Sequence, residues 1–99
     1  MSNKLNSAEM QNLYKAILLL KTPEECDAFF TDLCTIKEMQ DLSQRFDVCR
    51  LLDEGRNYQD ISQMTGASTA TISRVNKCLN YGSDGYRMIL DRIKNQKEK

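Results

Sequence analysis

Ninety-nine residues with four cysteines and no histidine make one small domain, and 14 Lys+Arg balance 14 Asp+Glu. No apolar run reaches membrane length, and Lys15 and Lys21 flank a stretch of only five apolar residues, too short for a signal-peptide core. The missing histidine and cysteine gaps of 8, 15 and 29 argue against a zinc cage, and no close acid pair or Gly-rich phosphate loop supports catalysis. The composition therefore predicts a cytoplasmic, non-enzymatic protein without a metal.

Every periodic segment is helical. Ser7 can cap a first helix bearing Met10, Leu13, Tyr14, Ile17, Leu18 and Leu20, apolar over more than half its circumference. Thr22-Pro23-Glu24-Glu25 is a capping box with Pro at the first helical position. The helix it opens carries Cys26, Phe29, Phe30, Leu33 and Cys34 at i, i+3, i+4, i+7, i+8. A second box, Thr35-Ile36-Lys37-Glu38, starts a long helix with Met39, Leu42, Phe46, Val48, Cys49, Leu51 and Leu52, stopped by Gly55. Cys26, Cys34 and Cys49 fall in these apolar stripes and are expected in the core. The dyad Asp53-Glu54 precedes the helix stop and reads as solvated surface.

Next come two short helices around a tight turn. Asn57 can cap the first, with Asp60 near its positive end, and Ile61 and Met64 share a face. Gly66 stands where a left-handed residue must end it, and Ser68 caps the second. In that second helix Ile72, Val75 and Leu79 recur at i, i+3, i+7. Ser73, Lys77, Ala70 and Arg74 fall about 100°, 140°, 160° and 200° from Ile72, on one small, polar, cationic arc opposite the stripe. This is the layout of a helix-turn-helix whose second helix enters the DNA major groove. Asn80 to Gly85 read as a loop, and Tyr86, Ile89, Leu90 and Ile93 mark a last amphipathic helix. No segment shows strand alternation with a hairpin turn, so the fold class is all-α with six helices.

Charge is split along the chain. Residues 1–55 hold six basic against ten acidic residues, net −4, and residues 56–99 hold eight against four, net +4. Such a dipole turns the C-terminal half toward phosphates.

The run Gly66-Ala67-Ser68-Thr69-Ala70-Thr71-Ile72-Ser73-Arg74 resembles the Gly-Ala-x-x-Ala-Thr-Ile-Thr-Arg segment of the Trp repressor, and the likeness extends from about Thr35 to about Tyr86. The continuation Val75-Asn76-Lys77-Cys78-Leu79-Asn80-Tyr81-Gly82-Ser83-Asp84-Gly85-Tyr86 looks more like the Trp-repressor-related family of small bacterial regulators, a resemblance covering nearly the whole chain. It implies a Trp-repressor-like fold and an intertwined homodimer. The broad apolar faces of the first three helices suit a partner independently. The expected organisation is a single domain over 1–99, with a helical dimerisation core at 7–54, the helix-turn-helix at 57–79 and a C-terminal helix at 84–97.

The expected function is sequence-specific binding of double-stranded DNA by a dimeric transcriptional repressor at near-palindromic operators. Thr69, Ala70, Ser73 and Arg74 would face base edges, while Gln59, Ser62 and Lys77 would serve the backbone. The second helix, starting at Ser68, offers N–H groups to a phosphate. The alternative is an adaptor that uses the same fold to dock a protein. By resemblance, Thr35, Arg45, Thr71 and Arg74 match positions lining a tryptophan pocket, with the two guanidinium planes on either side of the indole. The repressor has Gly after the Arg of its Ala-Thr-Ile-Thr-Arg run, where this chain has Val75, and the spacing from Arg45 to Leu51-Leu52 is one residue shorter. The branched Val75 would intrude on a flat ligand, so tryptophan is disfavoured and no cofactor is expected.

Overall fold

The computed structural model describes residues 7–97, and six helices with no strand occupy them. In chain order they are α1 Ala8–Ile17, α2 Pro23–Leu33, α3 Ile36–Asp53, α4 Tyr58–Thr65, α5 Thr69–Tyr81 and α6 Gly85–Lys97. The chain divides into two compact units, Met1–Met39 and Gln40–Lys99, the boundary falling inside α3.

Caps set where the helices of the first unit begin. Ser7 accepts from the Met10 N–H at 3.1 Å, and Thr22 accepts from the Glu25 N–H at 3.0 Å. The Glu25 carboxylate reaches back to the Lys21 N–H at 2.8 Å, one residue before the cap itself. At Thr35 the box is reciprocal: Thr35 accepts from the Glu38 N–H at 3.1 Å, and Glu38 accepts from the Thr35 N–H at 2.8 Å. Helix α1 is shorter than its apolar pattern suggests. It ends at Ile17, and Leu19 and Leu20 close i→i−3 turns onto Ala16 and Ile17. The chain becomes extended at Thr22 ahead of Pro23, so α1 cannot continue into α2. Neither α1 nor α2 contains a buried residue. Cys26, expected in the core, is exposed, and Cys34 is half-buried. Helical spacing puts these thiols on an apolar stripe without supplying anything to cover it.

The second unit has a closed core. Val48, Cys49 and Leu51 of α3 pack with Ile61, Ala67, Ile72, Val75, Leu79 and Leu90, while Leu52, Tyr58 and Tyr86 lie against them. Met64 does not join: it is 57% exposed, although it shares a helical face with Ile61. Ala67, just past the turn, is buried in this core, so a small residue suffices where α4 and α5 diverge. Helix α3 ends in a left-handed glycine motif, with the Arg56 N–H donating to Leu51 O at 3.1 Å and the Gly55 N–H to Leu52 O at 3.0 Å. Asp53, at the end of α3, accepts from Arg87 and Lys94 of α6, each at 2.7 Å. These two bonds hold its carboxyl below the ordinary carboxylate range: the Lys94 bond is the largest cause, and partial burial opposes it. The last helix is thus fastened twice, by buried Leu90 and by this clasp.

Candidate nucleic-acid interface

The turn between α4 and α5 is held by its own polar atoms. Asn57 caps α4 by accepting from the Asp60 N–H at 2.8 Å. Gly66 ends α4 with φ 76°, and its N–H donates to Ser62 O at 2.8 Å. Any side chain there would meet the left-handed penalty, which accounts for the glycine. Thr65 donates to Ile61 O at 2.7 Å and accepts from the Ala67 N–H at 3.1 Å. Ser62 donates to Ala67 O at 2.9 Å. From outside the motif, the Gln44 side-chain amide of α3 donates to Thr65 O at 3.1 Å. Sequence reading missed Gln44, since a residue 21 positions away carries no local signal. It borders a polar cleft of about 670 Å³ with Gln40, Asp41, Ser43, Asp47, Met64 and Thr65.

Helix α5 presents two opposite faces. Ile72, Val75 and Leu79 are buried, whereas Thr69, Ala70, Ser73, Arg74 and Lys77 are exposed. Ser68 caps it by accepting from the Thr71 N–H at 3.1 Å, and its hydroxyl donates to Thr71 Oγ1 at 3.2 Å. The N–H groups of Thr69 and Ala70, at the first two helical positions, have no intrahelical acceptor by helix geometry. Among the described residues neither Arg74 nor Lys77 pairs with a carboxylate, nor does Arg45. Gln59 is exposed on α4, but Ser62 is half-buried and its only donor is spent on the turn. The helix also runs further than expected. It continues through Asn80 and Tyr81, assigned to a loop from sequence, and Gly82 receives it by donating to Cys78 O at 2.9 Å. A Cβ on Gly82 would overlap the Cys78 carbonyl, so the chain turns off there only with glycine.

Thr35 spends its hydroxyl on the α3 cap. Arg45, half-buried, and exposed Arg74 both act electrostatically on the Tyr86 phenol. That phenol's pKa is raised, chiefly by burial and also by Cys49 and Cys78, with the two arginines pulling it down. Val75 is 2% exposed, in the core beside Ile72 and Leu79. No group of three or more Cys, Asp or Glu among the described residues is placed to hold a metal ion. None of their helices is long and apolar enough to cross a membrane.

A capped, glycine-broken helix pair with its second helix bared along a small cationic face defines the helix-turn-helix class. The chain belongs to the Trp repressor family: the profile of the Trp repressor protein matches residues 8–94. It is 58% identical over 92 residues to the uncharacterised protein YerC of Bacillus subtilis (strain 168), covering 93% of this chain and 88% of YerC. A crystal structure of a TrpR-like protein from Eubacterium eligens ATCC 27750 superposes with a TM-score of 0.90 at 53% identity, over 93% of this chain and 95% of that one. A candidate Trp repressor from Staphylococcus aureus superposes at 0.89 with 50% identity, over 95% and 94%. The fold is therefore all-α and Trp-repressor-like, and membership supports DNA binding and transcription regulation as the class of function.

Proposed function

We propose that the protein is a sequence-specific, DNA-binding transcriptional repressor acting as a homodimer on near-palindromic operators. The observation that carries this reading is the bared stripe Ala70, Ser73, Arg74 and Lys77 opposite the buried stripe of the same helix. Short side chains at Ala70 and Ser73 let the helix approach base edges, and Arg74 can pair bidentately with a guanine. Thr69 joins them at the groove-facing start, where the free N–H groups suit a phosphate. Gln59 and Lys77 serve the backbone; Ser62 and Ser68 hold the turn and cap that aim the helix. In a dimer the two heads sit about 34–36 Å apart, one helical turn of DNA.

The second copy is supported by the first unit, where Leu18, Leu19 and Ile36 are 82%, 75% and 77% exposed. Tryptophan is not the effector in this reading, because the chain has the branched Val75 where the Trp repressor has glycine; calorimetry showing micromolar tryptophan affinity would overturn that point.

Two substitutions test the interface. Arg74→Ala costs roughly 1–3 kcal/mol on a specific site and relaxes preference at one base pair. Lys77→Ala weakens specific and random DNA alike and lowers the salt slope by about one unit. If neither change alters base preference or salt dependence, the helix does not read DNA and the protein-docking adaptor takes its place.

A further inference from the structure

The helical extension of α5 gives Tyr81 a helical position that the short, looped version would not. Tyr81 is its last residue and is 86% exposed, the largest value among the exposed large apolar and aromatic side chains of the described residues. At about 100° per residue it lies about 20° from Arg74 and about 40° from Lys77 around the helix. It therefore closes the cationic stripe at its C-terminal end. With a rise of about 1.5 Å per residue, Tyr81 stands about 10 Å beyond Arg74 and about 6 Å beyond Lys77 along the axis.

We propose that Tyr81 positions the recognition helix on DNA by donating its phenol hydroxyl to a backbone phosphate at the rim of the major groove. This rests on the DNA-binding reading of α5. A helix whose first two turns meet base edges cannot keep its fourth turn inside a groove about 12 Å wide, so its end passes over the sugar–phosphate rim. Tyrosine is one of the side chains that bond phosphate oxygens. The helix is anchored two residues before its end, where Leu79 is buried in the same core as Leu90 of α6, and Gly82 closes it by donating to Cys78 O. That anchorage sets the height of Tyr81 along the helix, so a phosphate contact there acts as a register stop. The contact differs in kind from that of Lys77. A phenol is an uncharged donor, so its bond to phosphate releases no condensed counterion.

The experiment measures binding of the full chain to a mixed-sequence duplex across a range of salt, with Tyr81→Phe, Tyr81→Ala and Lys77→Ala in parallel. Tyr81→Phe is expected to weaken binding at least tenfold with the salt slope unchanged, while Lys77→Ala lowers the slope by about one unit. Saturating duplex is also expected to protect Tyr81 from O-acetylation by N-acetylimidazole. Tyr81→Phe within twofold of wild type, or acetylation of Tyr81 at the same rate with and without duplex, overturns the hydroxyl contact. Loss confined to Tyr81→Ala also overturns it and leaves only ring packing. A wild-type protein that binds no duplex removes the DNA reading itself, which is a separate failure. Because Tyr81 is exposed, unchanged thermal midpoints for both variants accompany the expected result.

Discussion

Residues 7–39 and residues 40–97 solve the folding problem in opposite ways. The second unit buries nine residues in one core and turns its polar, cationic helix face outward. The first is just as regular, with three good caps, yet no residue of α1 or α2 is fully buried. Caps contribute about 1 kcal/mol each and set where helices begin, but burial of apolar surface is what holds helices against one another. The first unit thus leaves leucines bare where the second closes a core. The proposed homodimer would account for this contrast, with a second copy covering the faces that the first unit leaves open.

The largest expected effect tests that contrast directly. Ile72→Ala empties a fully buried position and is expected to cost about 2–5 kcal/mol of unfolding free energy. Leu18→Ser, at an exposed position, should cost nearly nothing in an isolated chain. In a dimer it should lower the urea midpoint at low protein concentration and recover at high concentration. Sedimentation of a folded 11.4 kDa monomer at micromolar concentration would break the comparison and leave the first unit without an explanation.

A smaller effect sharpens the account of the head. The folded Asp53 pKa lies below its ordinary 3.8, so the clasp stabilises the fold above that value and the contribution is lost as pH falls through the folded pKa. With Arg87 and Lys94 both substantially exposed, its size is about 1 kcal/mol. Asp53→Asn should cost stability at pH 7 and progressively less as the pH falls below 3.8 and through the folded pKa. Chemical denaturation over a falling pH series checks it, and a loss that stays the same at every pH would show the effect to be packing rather than charge.

The last prediction costs no stability. Burial, then the Asp53 charge, pushes the Cys49 thiol up to about 11, so it should resist alkylation at pH 8 until the protein unfolds. Cys78 is exposed and should react freely. Cys26 is exposed within its own chain, on the stripe with Phe29, Phe30 and Leu33. If a second copy covers that stripe, Cys26 labels slowly at concentrations where the dimer forms and quickly on dilution. Equal rates for Cys26 and Cys78 at every concentration would argue that the stripe stays bare.

Much of this was legible from the chain, because it depends on groups within a few residues of one another. The Ser7, Thr22, Thr35, Asn57 and Ser68 caps and the Gly55 and Gly66 stops are local hydrogen-bond chemistry, and the split of α5 into buried Ile72, Val75, Leu79 and bared Ala70, Ser73, Arg74, Lys77 follows from 3.6-residue periodicity. Periodicity names a face without saying what meets it. Only the tertiary structure could therefore leave Met64 and Cys26 in solvent, bury Ala67, tie Gln44 to Thr65 and clasp Asp53 with Arg87 and Lys94. The continuation of α5 past Asn80 is itself local, closed where the Gly82 N–H meets the Cys78 carbonyl, but periodicity alone did not place that end, which puts Tyr81 on the cationic stripe. Local bonding sets where helices start and turn, and contacts between residues distant in sequence decide which of their faces are closed.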